Sequence, residues 1–111
     1  MKKLKKLWPL FLSLVVVLVL AVIAFSQPSV ILFYKNDCPH CQKVEEYLKE
    51  HPSKVKYRFL EAVDNQQNYA LLIKKAKSCG LSEDSLEAPF LYDGQHCLVG
   101  DQAVIDWFSK Q

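Results

Sequence analysis

The longest apolar segment of the chain lies near its N-terminus. Residues 7–25 carry no charged side chain, and this run of about 19 residues is close to the length that a helix needs to cross a bilayer. The next charged residue is Lys35, whereas four lysines precede the segment, at positions 2, 3, 5 and 6. Because lysine is enriched on the cytoplasmic side of membrane helices, the pattern predicts a single-pass anchor with its N-terminus in the cytoplasm and the rest of the chain outside it.

The same segment also fits a cleaved signal peptide. Ala24 and Ser26 place small residues at the spacing that signal peptidase prefers. The apolar run is longer than the usual signal core, which favours a retained anchor over residues 1–26, followed by a short linker at 27–29. Both alternatives place the following domain on the periplasmic or extracellular side, either attached to the membrane or released from it.

The hydrophobic pattern after the linker predicts one domain over residues 30–111. Residues 30–34 form a continuous apolar run, typical of a strand that is covered on both faces. A helix is predicted next from the spacing of Cys41, Val44 and Leu48, and Pro52 ends it. Alternating apolar and polar residues at 55–59 then predict a strand with one exposed face.

The second half of this domain predicts two more helices and a hairpin. Asp64 or Asn65 can cap a second helix. Its buried stripe is predicted to contain Tyr69, Leu72, Ile73 and Ala76. An acidic loop at 82–88 leads to strands at 90–92 and 95–99, joined at Asp93-Gly94, and Asp101 is predicted to cap a last helix. The order β-α-β-α-β-β-α predicts an α/β fold: a four-stranded mixed sheet flanked by three helices and preceded by one transmembrane helix.

Charge and cysteine placement narrow the classes of function. The formal net charge is +2 over 111 residues, and the N-terminal lysines supply much of the positive charge. No basic stripe alternates with aromatic residues, so we expect no nucleic-acid partner, and we expect a monomer without a cofactor. All four cysteines follow the apolar segment, where the predicted compartment allows disulfides to persist.

The candidate chemistry is Cys38-Pro39-His40-Cys41, placed between the first strand and the first helix. Two thiols about one helical turn apart can face the same reactant, and the unpaired N–H groups of the helix start favour a thiolate at Cys38. Pro39 suits the first helical position, and a protonated His40 adds positive charge beside the sulfur. These parts serve thiol–disulfide exchange, while a structural disulfide or half of a metal site stays open as an alternative.

The second hypothesis is a metal-binding module. Two thiolates suit a soft ion such as Cu(I), and small copper carriers also place C-x-x-C after their first strand. Those carriers run β-α-β-β-α-β with Met two residues before the first cysteine, whereas this chain has Asn36 there and ends in a helix. Because no third ligand is evident, the exchange enzyme is favoured and no metal ligand is assigned.

Cys79 and Cys97 form the remaining pair of cysteines. A disulfide between them would close a loop of about 18 residues and add roughly 3 kcal/mol to the stability. The alternative is two buried free thiols, and the spacing does not decide between them.

The element order, the C-P-H-C motif after the first strand and Pro89 at the start of the third strand resemble the glutaredoxin branch of the thioredoxin-like superfamily. The resemblance covers roughly residues 30 to 110. It implies that Cys38 attacks and Cys41 resolves, and that Pro89 is cis and stands opposite the thiols. It also implies that Ala88 offers its backbone to an extended substrate chain.

The family resemblance also suggests substrate contacts. Lys35 matches the basic residue that glutaredoxins place three before the first cysteine, and Asp101 matches the acidic residue after their Gly-Gly pair. Glu87 stands where a threonine is common, and Leu98-Val99-Gly100 replaces the Gly-Gly pair. Acidic residues at 83, 84 and 87 disfavour an anionic tripeptide, so we expect protein thiols or a membrane redox partner ahead of glutathione.

The Pro-His dipeptide between the cysteines bears on the direction of exchange. It resembles that of the periplasmic disulfide oxidases and differs from the Pro-Tyr of reducing glutaredoxins. A stabilised Cys38 thiolate favours the reduced form of the protein and makes its disulfide more oxidising. The sequence therefore predicts an oxidising couple.

Overall fold

The computed structural model describes residues 2–25 and 28–111. Its elements are α1 (Lys2–Phe25), β1 (Ile31–Tyr34), α2 (Pro39–Glu50), β2 (Arg58–Glu61), α3 (Gln66–Ser78), a 3₁₀ turn (Glu83–Ser85), β3 (Phe90–Tyr92), β4 (Cys97–Val99) and α4 (Asp101–Ser109). This confirms the predicted element order after the N-terminal helix. Ser26 and Gln27, which hold the alternative cleavage site and the start of the linker, lie outside the described residues.

Helix α1 contains the apolar segment. Lys5–Ile23 has a mean hydropathy of 2.5 and is long and apolar enough to cross a membrane. The helix continues through Pro9. The structure therefore contains the apolar N-terminal helix that the sequence predicts.

The sheet has the strand order β2-β1-β3-β4. Strand β1 pairs parallel with β2, in the register Ile31 to Arg58, and antiparallel with β3, in the register Phe33 to Phe90. Strand β4 continues the sheet as the antiparallel partner of β3. Because β1 has a neighbour on each side and its residues are buried, it provides a fixed base for the segment that follows it.

The core consists of two apolar clusters, which involve different helices. The first cluster contains Val30, Leu32, Leu91 and residues of α2 and α4, namely Val44, Val104 and Phe108. The second contains Ile31, Phe33, Phe90 and residues beside or on α3, namely Ala62, Leu72 and Ala76. Since alternate residues of a strand point to opposite faces, the domain has three layers, with α2 and α4 on one face and α3 on the other.

Side-chain acceptors stabilise the connection between β2 and α3 and the start of α3. Asn65 caps α3, because its side chain accepts the N–H of Asn68 at 3.0 Å. Glu61, at the end of β2, accepts backbone N–H groups of Val63, Asp64 and Asn65 at 2.8 to 3.1 Å. Partial desolvation raises the pKa of Glu61, but these three donors outweigh it and hold the pKa below its ordinary value.

The predicted strand at 55–59 was misplaced. The observed strand is Arg58–Glu61, and Val55 belongs to a turn in which the Ser53 hydroxyl accepts the Val55 N–H at 3.1 Å. Val55 and Tyr57 still pack against the first cluster, so their apolar character reflects burial without strand pairing. Phe59 is 43% exposed and stacks on Tyr34, with ring centroids 4.1 Å apart.

Three smaller expectations were also wrong. Tyr69 is 45% exposed, although its spacing placed it in the buried stripe of α3. Strand β4 begins at Cys97, because the Asp93 carboxylate accepts the N–H groups of the residues at 95 and 96 and keeps them in the turn. Helix α4 begins at Asp101 itself, and the N-cap position is occupied by Gly100, which has a φ of 95°.

Candidate active site

Cys38 occupies the N-cap position of α2, and Pro39 is the first helical residue. The Cys41 N–H donates to Cys38 Sγ at 3.1 Å. The two cysteines form a disulfide in the structure. A backbone N–H directed at Cys38 Sγ stabilises negative charge on this sulfur, and the electropositive start of a 12-residue helix acts in the same direction.

The peptide bond between Ala88 and Pro89 is cis. The carbonyl oxygen of Ala88 lies 3.7 Å from Cys38 Sγ, which brings the two sequence-distant segments together. The Pro89 carbonyl accepts the Gly100 N–H at 2.9 Å, so the proline segment is also attached to the start of α4. Pro39 and Pro89 thus both adjoin the sulfur pair.

His40 lies beside an acidic residue of α4. Its Nδ1 is 3.1 Å from a carboxylate oxygen of Asp101, and Lys43 Nζ is 3.5 Å from the same oxygen. The Gln102 N–H donates to the other oxygen at 2.9 Å. The hydrogen bond to His40 is the main reason that the pKa of Asp101 lies below its ordinary value, and the neighbouring positive charges act in the same direction.

A cleft of about 490 Å³ opens beside the disulfide. Cys38 lines it, together with Pro39 and His40, whereas Cys41 does not, although both cysteines are buried. Three of the predicted substrate-binding residues, Lys35, Glu87 and Ala88, line the same cleft. Asp101, the fourth, lies outside the lining and is bonded to His40 and Lys43.

The two exposed apolar residues of the cleft are among those that the sequence did not assign to the site. Val63 and Tyr69 line it and are 60% and 45% exposed, respectively. Tyr69 fitted the apolar stripe of a helix, and Val63 lies in the connection between β2 and α3. Neither position carries a local sequence pattern that distinguishes a cleft wall from a core residue. Glu83 also lines the cleft, in agreement with the acidic loop noted above, while Asp84 does not.

Cys79 and Cys97 form the second disulfide. Cys79 ends α3 and Cys97 begins β4, so the bond joins the α3 layer to the edge of the sheet. Their Cα atoms are 6.1 Å apart, within the usual range for a disulfide. The geometry selects the paired alternative over two free thiols.

The residues at 2–25 and 28–111 contain no group of three or more His, Cys, Asp or Glu side chains arranged to hold a metal ion. The Cys38–Cys41 pair thus has no third ligand from this part of the chain. A four-stranded sheet with a C-x-x-C disulfide at a helix start and a cis-proline beside it defines the thioredoxin-like class of protein.

Comparison with known families specifies the class further. The glutaredoxin family model matches residues 30–96. This range includes Cys38, Cys41 and Pro89, and Cys79 of the second disulfide. The chain belongs to the glutaredoxin family and is a thiol–disulfide oxidoreductase by family and fold. No curated protein matches the chain.

Solved structures show the same fold. The holo form of glutaredoxin C1 from Populus tremula × tremuloides is 19% identical, with a TM-score of 0.51, covering 76% of this chain and 77% of that one. Oxidised glutaredoxin 2 from Chlamydomonas reinhardtii is 21% identical, with a TM-score of 0.50, covering 74% of this chain and 72% of that one. At these identities the similarity establishes the fold alone.

Proposed function

We propose that this protein is a membrane-anchored thiol–disulfide oxidoreductase that acts on protein thiols outside the cytoplasm, with Cys38 as the exchanging sulfur and Cys41 as the resolving sulfur. The observation that carries the assignment is the position of the two cysteines relative to the cleft. Both cysteines are buried, at 3% and 4% exposed, and of the two only Cys38 lines the cleft. A reactant in the cleft therefore reaches Cys38 first.

The exchange proceeds by two sulfur displacements. In the oxidising direction, a substrate thiolate attacks Cys38 Sγ, a mixed disulfide forms and Cys41 leaves as a thiolate. A second substrate thiolate then attacks the substrate sulfur of the mixed disulfide, and Cys38 leaves as a thiolate. The substrate loses two electrons and the Cys38–Cys41 disulfide gains them. The reverse sequence reduces a substrate disulfide.

The surroundings of Cys38 support the oxidising direction. The Cys41 N–H and the start of α2 stabilise the thiolate that Cys38 becomes on reduction. Stabilisation of the reduced form makes the disulfide a better oxidant. Lys43 adds positive charge at the same helix end, and the Asp101 carboxylate, which also contacts His40, partly offsets it.

The segment before Pro89 supports an extended polypeptide as the substrate. The Ala88 carbonyl lies 3.7 Å from Cys38 Sγ, so the backbone at Ala88 adjoins the reacting sulfur. A strand-like peptide that pairs with this backbone would present its own cysteine to Cys38. The engagement of Asp101 by His40 and Lys43 supports protein thiols over glutathione, because this carboxylate is already used within the protein.

Two features support the extracytoplasmic location. The apolar span Lys5–Ile23 follows lysines at the N-terminus, as expected for a helix whose N-terminus stays in the cytoplasm. The Cys79–Cys97 disulfide is of the kind that persists in an oxidising compartment.

The roles of the two cysteines are tested by separate serine variants of the full chain in detergent. Reduced Cys41→Ser should accumulate a mixed disulfide when it meets a peptide whose cysteine is already in a disulfide with a small thiol, because Cys38 attacks the peptide sulfur, the small thiolate leaves and no Cys41 thiolate displaces the peptide. Cys38→Ser should form no such adduct and lose exchange activity. Trapping of the peptide on Cys41 of the Cys38→Ser variant, at a rate matching the wild type, would contradict the assignment.

The location is tested by protease treatment of cells that carry the full chain in their cytoplasmic membrane, after removal of any outer membrane, so that only the cytoplasmic membrane separates the protease from the cytoplasm. An added protease should remove the domain without permeabilisation. A domain that is digested only after permeabilisation would contradict the extracytoplasmic placement, while leaving the exchange chemistry untouched.

A further inference from the structure

The cleft beside Cys38 carries charged side chains that form no ion pair among the residues at 28–111. Glu83, Glu87 and Lys35 line it, and none of them forms an ion pair within residues 28–111. The basic side chains of His40 and Lys43, at the start of α2, both contact Asp101. The cleft therefore offers two unpaired carboxylates and one unpaired ammonium group to a ligand.

The same cleft also carries exposed apolar surface. Outside α1, the large hydrophobic residues that are exposed within residues 28–111 are Phe59, Val63 and Tyr69. Two of these three, Val63 and Tyr69, line the cleft. Concentration of exposed apolar side chains in one concave place is typical of a surface that binds another molecule.

From these two observations we infer that the substrate of the proposed exchange reaction is a polypeptide segment in which the reacting cysteine is accompanied by a cationic side chain and an apolar one. Glu83 and Glu87 are the specificity-determining residues for the cation, and Val63 and Tyr69 provide the apolar contact. This inference rests on the proposed role of Cys38, because it names the class of substrate for that same site.

The charge balance of the cleft explains the selectivity. A lysine or arginine beside the substrate cysteine can approach these two carboxylates without breaking an ion pair among residues 28–111. An anionic side chain at the same place meets the same two carboxylates and is repelled, with only Lys35 to offset them. Selection thus comes from repulsion of the wrong substrate as well as attraction of the right one.

The test measures how fast Cys38 captures two matched peptides. Each peptide carries one cysteine as a mixed disulfide with 2-mercaptoethanol, and the two differ only in a lysine or a glutamate next to that cysteine. In the reduced Cys41→Ser protein, full-length and in detergent, Cys38 attacks the peptide sulfur and releases the mercaptoethanol thiolate. Mass spectrometry of quenched samples gives the rate of adduct formation.

We expect the lysine peptide to react about five- to tenfold faster than the glutamate peptide at low ionic strength, and added salt to reduce this ratio. Glu83→Gln with Glu87→Gln should bring the ratio to within about twofold. Glu50→Gln, a change of the same kind at an exposed position on α2 away from the cleft, should leave the ratio as it is.

Two results would overturn the inference: equal rates for the two peptides, or a preference that survives the double substitution. Salt titration of the protein with both glutamates intact is an independent test. If the ratio of the lysine-peptide rate to the glutamate-peptide rate does not change with salt, the preference is not electrostatic. Failure of both peptides to form any adduct is a different outcome, because it contradicts the role of Cys38 and thus the proposed function itself.

Discussion

His40 Nδ1 lies 3.1 Å from the carboxylate of Asp101, a residue 61 positions further along the chain. The contact joins the dipeptide between the two site cysteines to the first residue of α4. Family resemblance suggested Asp101 as a contact for substrate. In the structure its carboxylate contacts His40 and Lys43, close to the start of the helix that carries the disulfide.

Removal of the negative charge of Asp101 should change the reduction potential of the Cys38–Cys41 couple. In Asp101→Asn the carboxylate no longer offsets the Lys43 ammonium group, so the Cys38 thiolate is better stabilised and the disulfide becomes more oxidising. We expect the potential to rise by an amount on the order of 10 mV, because the groups are largely solvated. Equilibration with glutathione buffers of known ratio, followed by thiol labelling, measures it.

A matched control for this prediction lies on the same helix. Asp106 accepts a hydrogen bond from the Gln102 side chain at 2.9 Å and has no partner on α2 among the described residues. Asp106→Asn should therefore leave the potential unchanged. A lower potential in Asp101→Asn, or an equal rise in both variants, would argue against the charge effect.

Acid should destabilise the fold through three carboxyl groups. The pKa of Asp101 is lowered by His40, and those of Glu61 and Asp93 are lowered by backbone N–H donors that outweigh their desolvation. A carboxyl whose pKa is lower in the folded than in the unfolded chain stabilises the fold above its unfolded pKa, near 4, and this contribution is lost as the pH falls through the folded pKa. The free energy of unfolding should therefore fall as the pH drops below about 4.

Urea unfolding of Glu61→Gln compared with the wild type isolates one of these groups. The variant should be less stable at pH 7, because Gln accepts hydrogen bonds from Val63, Asp64 and Asn65 without a charge. The gap should narrow at pH 3, where the wild-type carboxyl also loses charge. A gap that stays the same at both pH values would show that the carboxylate charge is not responsible.

The second disulfide should contribute to stability and leave exchange intact. Cys79 and Cys97 are separated by 18 positions, and their bond ties the end of α3 to β4. Replacing both by serine should lower the free energy of unfolding by about 3 kcal/mol, mainly because the unfolded chain gains freedom. Denaturant unfolding measures this loss. Abolished exchange in a variant that is still folded would reveal a redox role for this pair.

Glycine at position 100 should be harder to replace than glycine at position 80. Gly100 has φ 95° and ψ 159°, a conformation that residues with a side chain almost never adopt, and it occupies the N-cap position of α4. Gly100→Ala should therefore cost about 1–3 kcal/mol. Gly80, at φ 75°, should cost about 1–2 kcal/mol as alanine.

A Cβ at either glycine would meet no atom within 4 Å. The stability difference between Gly100→Ala and Gly80→Ala should therefore come from backbone conformation and not from steric contacts. Urea unfolding of both proteins gives the difference. A larger loss in Gly80→Ala than in Gly100→Ala would contradict the ranking.

The features that the sequence predicted well depend on nearby residues. The element order, the start of α2 at Pro39 and the cap at Asn65 all follow from patterns a few positions long. The apolar run at 30–34 indicated a strand covered on both faces, and β1 is indeed central in the sheet. Such signals are local, so they survive without knowledge of the tertiary structure.

The features that the sequence patterns did not predict depend on contacts between distant segments of the chain. Pairing with β1 places β2 at Arg58–Glu61, three residues later than the alternation at 55–59 suggested. Tyr69 fits a helical stripe, yet the cleft beneath it leaves it exposed. Asp101 meets His40 only because α2 and α4 lie on the same face of the sheet, and no short pattern encodes that contact.

The two disulfides belong to different layers of the domain. Cys38 and Cys41 begin α2, which packs with α4 on one side of the sheet, while Cys79 ends α3 on the other side. Electron transfer at the first pair changes bonds within a single helix turn and crosses no interface between layers. A catalytic cycle of this protein can therefore run its sulfur chemistry while the bond that secures the opposite layer remains closed, which separates turnover from the integrity of the fold.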